Sequence, residues 1–234
     1  MIKIENLRKQ YGLQPVLQGV NLHILAGEFV MLVGANGAGK STLMQIVAAL
    51  QAPTAGQVAV GGWALPQYAD RVRRHIGYVS HEPLLYADLT AAENLEFFSQ
   101  IYELGLTKEQ IGERLRRVGL LARQREAVRL FSRGMKQRLA IARATLHEPD
   151  ILLLDEPYTG LDQQAAELLD HLLQQEVTAG RTIFMITHDL VHGYHLCNRV
   201  AILNRGKIVC EIESNQTTAT DFLQIYREQT GTGR

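Results

Sequence analysis

Gly34-Ala-Asn-Gly-Ala-Gly39-Lys40-Ser41-Thr42 decides how the rest of the chain is interpreted, because this stretch matches the complete phosphate-loop pattern G-x-x-x-x-G-K-[ST]. The apolar run before it, residues 28–33, predicts a buried strand. After it, Leu43, Ile46 and Leu50 have helical spacing. Backbone N–H groups of a glycine loop and the positive end of a helix both favour phosphate. The sequence therefore predicts a strand–loop–helix unit that binds a nucleotide.

The residues of this loop have expected parts in holding the nucleotide. Lys40 would neutralise the β- and γ-phosphate oxygens, and the hydroxyl of Ser41 would bind Mg²⁺. The alternative, a glycine-rich turn that matches by chance, would not need a strand before it and a helix after it. The predicted nucleotide-binding residues of the loop are Gly34, Ala35, Asn36, Gly37, Ala38, Gly39, Lys40, Ser41 and Thr42.

Length and composition limit the kind of protein this can be. With 234 residues and 46% hydrophobic content, the chain can form one large domain or two small ones. Its 24 Lys and Arg residues balance 24 Asp and Glu residues, so we expect no nucleic-acid partner. Two cysteines make no disulfide framework, which favours a reducing cytoplasm. No apolar run approaches the ~20 residues that span a bilayer, so any membrane role would come through a partner.

Two further predicted strands end in polar residues that suit a nucleotide site. Asp155 and Glu156 follow the apolar run 151–154, and His188 follows a strand predicted over residues 180–187. Ligands of open α/β sheets bind outside the carboxyl ends of the strands. We expect Asp155 to hold Mg²⁺ through its water molecules. Glu156, with His188 beside it, would polarise a water aimed at the γ-phosphate.

The order of predicted elements indicates an α/β protein. Alternating residues predict strands over residues 1–7 and 20–25, with Tyr11 in the loop between them, where its ring would stack on a purine or serve packing alone. We expect one domain over residues 1–234. Its α/β core has N-terminal antiparallel strands and a mixed sheet flanked by helices (1–82 and 146–234), and a helical subdomain (83–145) is inserted into it.

The order of these motifs resembles that of the ATP-binding cassette (ABC) family over nearly the whole chain. Tyr11 corresponds to the family's adenine-stacking aromatic, residues 34–42 to Walker A, residues 151–156 to Walker B with the catalytic base, residues 159–162 to the D-loop, and His188 to the switch histidine. The resemblance implies a phosphate-loop NTPase core of the ABC ATPase type that binds ATP. The residues it implies to be catalytic are Glu156, His188 and Lys40.

Residues 131–138, F-S-R-G-M-K-Q-R, occupy the place of the family's signature L-S-G-G-Q-x-Q-R. In the family this segment heads a helix and covers the γ-phosphate of a nucleotide on a second subunit. The hydroxyl of Ser132 and the backbone amide at Gly134 suit an anion at a helix start. Arg133 and Met135 depart from the signature, so any contact through the usual glutamine side chain is absent. The resemblance thus implies a homodimer that sandwiches ATP.

A third departure lies at the family's Q-loop, where His81 stands in place of a glutamine that reaches the metal site. An imidazole is shorter but can reach a metal-bound water. The surrounding residues 77–83, together with residues 89–95, resemble the ATPase of heme exporters of the cytochrome c maturation system. The metal site implied for Mg²⁺ comprises Ser41, Asp155 and His81.

The function implied by the resemblance is that of a transporter subunit. It would bind and hydrolyse ATP and drive separate integral membrane subunits, from the cytoplasm at the inner face of the cell membrane. Heme is one candidate for the transported molecule, and an exporter of another substrate is an alternative. The runner-up is a cytosolic assembly ATPase of the same fold, of the iron–sulfur cluster scaffold type, since neither function needs a membrane span in this chain.

The surface that meets the membrane partner is expected around residues 81–89, which contain the apolar run Leu-Leu-Tyr at residues 84–86. These three residues follow Pro83 and have no helical or strand periodicity that would bury all three, so we expect some of them to be exposed. In the family, a groove at this place receives a short helix from the membrane subunit, and an apolar lip suits such a helix. The alternative is that these side chains seal the junction between the two parts of the domain.

Overall fold

The computed structural model describes residues 1–231, and that part of the chain forms two β-sheets with helices packed on them. The strands are β1 (Ile2–Tyr11), β2 (Gln14–Ile24), β3 (Phe29–Val33), β4 (Ala55–Val60), β5 (Trp63–Leu65), β6 (Ile76–Val79), β7 (Ile151–Asp155), β8 (Thr182–Ile186), β9 (Arg199–Asn204) and β10 (Lys207–Glu213). The α-helices are α1 (Lys40–Val47), α2 (Ala69–His75), α3 (Ala91–Ile101), α4 (Lys108–Arg117), α5 (Arg133–Ala144), α6 (Gln163–Thr178), α7 (Leu190–Leu196) and α8 (Ala219–Thr230). Within residues 1–231, no helix combines the length and the apolar character that a bilayer crossing requires.

The larger sheet has the strand order β10-β9-β3-β8-β7-β6. Its strands from β9 to β6 are parallel, and β10 pairs antiparallel with β9 at the edge. Every residue of β3, β7 and β8 is buried, which is typical of parallel strands covered on both faces. The carboxyl ends of these three strands therefore meet at one edge of the sheet.

The smaller sheet is antiparallel, with the order β2-β1-β4-β5. β1 and β2 form one long hairpin, in which Tyr11 pairs with Gln14. The strands predicted over residues 1–7 and 20–25 are therefore too short. The prediction that Tyr11 lies in a loop is wrong, because Tyr11 is the last residue of β1.

A β-bulge explains why the alternation of residues understates the length of this hairpin. The pairing of β1 with β2 shifts register between Ile4 and Leu7, and Asn6 between them has a left-handed backbone with φ 48°. A bulge moves the following side chains to the other face, so the period-2 pattern breaks there although the strand continues.

Two apolar clusters cover the faces of the larger sheet. One fills the space between the two sheets and includes Ile4 of β1, Leu32 of β3 and Leu43 of α1. The other includes Met31 of β3 and Leu169 of α6. Alternate residues of β3 thus point into opposite clusters, which positions the loop that follows it. The predicted fold, a mixed sheet flanked by helices with antiparallel N-terminal strands, is confirmed.

Helices α3, α4 and α5 enclose a third apolar cluster, in which Leu95, Ile111 and Leu139 are buried. A capping box begins α3, since Thr90 Oγ1 accepts from the backbone N–H of Glu93 while Glu93 Oε2 accepts from that of Thr90. These helices lie within the section predicted as a helical subdomain. The limits of that subdomain, residues 83 and 145, stay a prediction.

Candidate nucleotide site

The phosphate loop joins β3 to α1, and two of its glycines stand where a side chain would collide. A Cβ on Gly34 would lie 2.1 Å from the carbonyl oxygen of Leu203. Gly39 has a left-handed φ of 107°, and a Cβ there would lie 2.8 Å from Cδ2 of Leu17. Gly39 is also the N-cap of α1, where no described side chain makes a capping hydrogen bond. The N–H groups of the first turn of α1 therefore have no side-chain cap within residues 1–231, and this helix end suits an anion.

Lys40, the first residue of α1, turns its side chain back over the loop. Nζ donates to the carbonyl oxygens of Gly34 at 2.7 Å and Ala35 at 3.2 Å. The side chain is buried, and burial lowers the pKa of Lys40, while the charges of Glu156 and Asp155 oppose that shift. The ammonium group thus has the loop carbonyls as hydrogen-bond acceptors and two carboxylates as charged neighbours.

The end of β7 carries two carboxylates with raised pKa values. Burial raises the pKa of Asp155, against the opposing charges of His81 and Lys40. Burial also raises the pKa of Glu156, whose φ of 55° lies in the left-handed region that a glutamate rarely adopts. Residues with backbone of this kind cluster at active sites, and within residues 1–231 Glu156 is the one non-glycine residue that combines it with a place in the cleft lining described below. A raised pKa also brings a carboxylate closer to the range in which a general base works best at neutral pH.

Glu156 and His188 form a close pair across the ends of β7 and β8. Glu156 Oε2 accepts from the backbone N–H of His188 at 3.0 Å, and Glu156 Oε1 lies 3.1 Å from Nε2 of His188. The side chain of Glu156 is 13% exposed and that of His188 is 58% exposed. The imidazole therefore reaches from solvent to a carboxylate that is almost covered.

A cleft of about 540 Å³ opens beside these groups. This volume suits a nucleotide-sized ligand. The residues that line the cleft are Gln14, Val16, Asn36, Gly37, Gly39, Lys40, Ser41, Thr42, His81, Asp155, Glu156, Thr159 and His188. The predicted site residues outside that lining are Tyr11, Gly34, Ala35, Ala38, Ser132 and Gly134. The structure thus brings most of the predicted phosphate-loop residues, the predicted metal residues and the predicted base to one place.

Three residues of the cleft wall are absent from the sequence-based prediction of the site. Gln14 and Val16 belong to the start of β2, and no motif marks them. The only feature that could have identified them is their position just after the turn between β1 and β2. The alternation of residues does not predict that turn. Thr159 also lines the cleft, although the sequence singled it out only as part of the D-loop resemblance.

Tyr11 stands next to the cleft rather than in its wall. It is 47% exposed, and its hydroxyl donates to Oε1 of Gln51. The ammonium group of Lys9 lies 5.1 Å from the centre of the ring. Its neighbour across the hairpin, Gln14, does line the cleft. An exposed ring at this place can receive a base, and that role stays a prediction.

The donor atoms of the cleft suit Mg²⁺. Ser41 offers a hydroxyl and Asp155 a carboxylate, and both are hard oxygen ligands. No group of three or more His, Cys, Asp or Glu residues that could hold a metal occurs within residues 1–231. Mg²⁺ does not need such a group, because it keeps several waters and takes the rest of its ligands from one or two carboxylates and phosphate oxygens. His81 is an exposed nitrogen donor in the same wall, which suits a contact to a metal-bound water.

Residues 131–138 lead into α5, as the resemblance implies. Ser132 is the N-cap, and its Oγ accepts from the backbone N–H of Met135 at 3.3 Å. A Cβ on Gly134 would lie 3.0 Å from the Cβ of Ala165 on α6, so α5 and α6 approach closely there. Neither Ser132 nor Gly134 lines the cleft of its own chain.

Comparison with known proteins identifies the family. Residues 17–159 match the family model described as ABC transporter. The chain is 37% identical over 213 residues to the lantibiotic transport ATP-binding protein SrtF of Streptococcus pyogenes. The aligned region covers 91% of this chain and 91% of that protein. It is 32% identical over 237 residues to the Nod factor export ATP-binding protein I of Cupriavidus metallidurans, covering 98% of this chain and 78% of that protein.

A solved structure gives the same result. The dimeric post-hydrolysis state of the ATP-binding cassette MJ0796, bound to ADP and Pi, is 30% identical to this chain. The two structures superpose with a TM-score of 0.84, covering 92% of this chain and 99% of that one. The chain therefore belongs to the ABC transporter family, in which it is the ATPase that serves as an ATP-binding subunit.

Proposed function

We propose that two copies of this ATPase sandwich two ATP molecules, each between the phosphate loop of one copy and the signature segment, residues 131–138, of the other. The observation that carries the proposal is that the cleft residues and the signature residues lie apart within one chain. Lys40 and Glu156 line the cleft, whereas Ser132 and Gly134 lie outside its lining. A second copy would bring the missing helix start to the nucleotide. The dimeric form of MJ0796 supports this arrangement.

The chemistry proposed for each site uses the groups in the cleft. Glu156 acts as the general base that takes a proton from the attacking water. His188 donates its backbone N–H to Glu156 and so holds the carboxylate in place. Lys40 neutralises charge on the β- and γ-phosphates. Ser41 and Asp155 would hold Mg²⁺, with His81 near its waters, and the ion would supply further neutralisation of the phosphate charge.

We further propose that hydrolysis drives export through separate integral membrane subunits, with this subunit on the cytoplasmic side of the cell membrane. The names of the two relatives support a transporter over a cytosolic assembly ATPase, because they refer to lantibiotic transport and Nod factor export. Neither name refers to heme. Heme export therefore stays a prediction that depends on the resemblance of short segments, chiefly residues 77–83 and 89–95. The helical subdomain over residues 83–145 is proposed as the part that carries the signature segment.

ATP is expected to drive dimerisation of a Glu156→Gln variant. This variant retains ATP between the two copies, so size-exclusion chromatography with light scattering should give a monomer mass without nucleotide and a dimer mass with ATP and Mg²⁺. ADP serves as the control, because it lacks the γ-phosphate that Ser132 is proposed to contact. Adding Ser132→Glu should prevent the dimer, since a carboxylate would repel the γ-phosphate. A species that remains monomeric at high ATP and protein concentration would contradict the sandwich.

The proposed docking surface for the membrane subunit is formed by two of the three residues 84–86. Leu84 is 51% exposed and Tyr86 is 50% exposed, whereas Leu85 packs against the apolar cluster of α3, α4 and α5. Asn94 holds the backbone of Tyr86 in place, because its Oδ1 accepts from Tyr86 N at 2.8 Å and its Nδ2 donates to Tyr86 O at 3.0 Å. Leu85 thus packs on the helices, whereas Leu84 and Tyr86 are half exposed. The ring of Tyr86 also meets the ring of Phe97 on α3 edge to face, with centroids 4.7 Å apart.

Replacing Leu84 and Tyr86 with Ser is expected to weaken recovery of the membrane subunit while leaving ATP binding intact. It should lower the unfolding temperature only slightly, through loss of the ring contact between Tyr86 and Phe97. Removing exposed apolar side chains takes away contact area for a partner but little of the core. Co-purification measures the first effect, and thermal unfolding with nucleotide titration measures the others. Val209→Ser, an exposed apolar residue of β10, is the matched control. Full recovery of the complex by the double variant would place the docking surface elsewhere.

A further inference from the structure

Outside the cleft lining, one carboxylate oxygen joins two segments of the site. Asp170 Oδ1, on α6, accepts from the hydroxyl of Tyr158 at 2.8 Å and from Nε2 of His192 at 2.9 Å. The rings of Tyr158 and His192 meet edge to face, with centroids 4.6 Å apart. The side chains of Asp170 and His192 are 20% and 30% exposed. These three side chains are named the Asp170 triangle below.

Tyr158 connects the Asp170 triangle to the proposed base. It is two residues after Glu156 and one before Thr159, which lines the cleft. The segment is tightly turned, since Thr159 N donates to Glu156 O at 3.2 Å and Leu161 N donates to Tyr158 O at 3.1 Å. A side chain anchored at Tyr158 therefore restricts where the carboxylate of Glu156 can lie.

His192 connects the Asp170 triangle to the switch histidine. It lies in the first turn of α7, which begins two residues after His188. Asp189 is the N-cap of α7, and its Oδ1 accepts from the backbone N–H of His192 at 3.1 Å. A Cβ on Gly193 would lie 2.4 Å from Sδ of Met31, so the helix is packed closely on β3. Anchoring His192 therefore fixes the start of α7, which lies two residues after His188.

We propose that Asp170 is a positioning residue for ATP hydrolysis. It keeps the segment that contains Glu156 and the segment that contains His188 in a fixed position relative to each other. The inference rests on the roles proposed above for those two residues. The Glu156–His188 pair depends on two contacts of 3.0 and 3.1 Å, so a small shift of either segment separates them. A misplacement of about 1 Å in an active site lowers a rate by up to about 10²-fold.

Three substitutions separate positioning from packing. Asp170→Leu is close in size but removes the acceptor. Asp170→Asn retains Oδ1, the one oxygen that accepts both hydrogen bonds. Tyr158→Phe removes a single hydroxyl and leaves the ring contact with His192. His171→Leu, at the next and exposed position of α6, is the matched control.

The experiment measures kcat and KM for ATP hydrolysis by the full chain, with thermal unfolding and equilibrium ATP binding for each variant. Asp170→Leu is expected to lower kcat about tenfold, and Tyr158→Phe about threefold, with KM changed by less than about twofold. Asp170→Asn should keep kcat within about twofold of the unmodified chain, because the acceptor remains. A role in packing alone would lower the unfolding temperature without this selective loss of kcat.

The outcomes distinguish this inference from the proposed function. Unmodified kcat in Asp170→Leu overturns the inference, as does a loss in Asp170→Asn as large as that in Asp170→Leu. If Asp170→Leu fails to fold, Tyr158→Phe decides, and unchanged kcat in that variant also overturns it. Glu156→Gln is assayed in parallel. Near-normal hydrolysis there removes the proposed base, and the inference with it, whereas an inactive Glu156→Gln beside a fully active Asp170→Leu overturns the positioning role alone.

Discussion

A Glu156→Gln variant is expected to bind ATP and to hydrolyse it about 10²- to 10⁴-fold more slowly than the unmodified chain, which is the usual contribution of a general base. Glutamine has nearly the same size and keeps an oxygen that accepts from the backbone N–H of His188. It cannot take a proton from the attacking water. The substitution therefore removes the proposed chemistry while the geometry of the pair is largely retained.

Single-turnover phosphate release and equilibrium ATP binding measure the two halves of this expectation separately. Glu228→Gln, an exposed position on α8, is the matched control and should hydrolyse ATP normally. The pKa of Glu156 is raised by burial, so the unmodified base becomes protonated at a higher pH than an exposed glutamate would. Turnover by Glu156→Gln close to that of the control would remove Glu156 from the role of base.

The parts of the site that the sequence predicts are those in which motif and strand period agree. The phosphate loop, Asp155, Glu156 and His188 each follow a short apolar run, and parallel strands bring their carboxyl ends to one edge. A reader of the sequence needs no long-range information beyond that rule of sheets. For this reason the sequence alone predicts the α/β fold and the ends of the strands in the larger sheet.

The N-terminal hairpin could be predicted only in part, because its register changes within the strand. Asn6 has a left-handed backbone, and the residues that follow it change face. An alternating pattern therefore ends where the strand does not. This places Tyr11 in a strand instead of a loop and leaves Gln14 and Val16 out of the predicted cleft wall.

The Asp170 triangle could not be predicted from the sequence, for a different reason. Its members are separated by 12 and 22 positions in the chain, and each has an ordinary local explanation: a residue near a turn, a helical acid and a helical histidine. A single sequence contains no signal for such a contact, because only the folded structure brings α6, α7 and the segment after β7 together. Contacts of this kind become visible when the elements are placed in space.

A Lys40→Ala variant is expected to lose ATP affinity by about 10- to 10²-fold, since hydrogen bonds to a charged group contribute about 1.5–3 kcal/mol. Lys40 is buried at the start of α1, and its ammonium group now donates to the carbonyl oxygens of Gly34 and Ala35. In the proposed complex this group turns to the β- and γ-phosphates, where its charge offsets theirs. Alanine leaves the fold of the helix favourable but supplies neither charge nor donor.

Isothermal titration with ATP and Mg²⁺ measures the affinity, and thermal unfolding shows whether the loop survives the loss of its two lysine contacts. Lys108→Ala, at an exposed position of α4, removes the same charge away from the cleft lining and should bind ATP normally. If both variants melt like the unmodified chain and only Lys40→Ala loses affinity, the loss belongs to the phosphate contact. Equal ATP affinity in the two variants would contradict the assignment of residues 34–42 as the phosphate-binding loop.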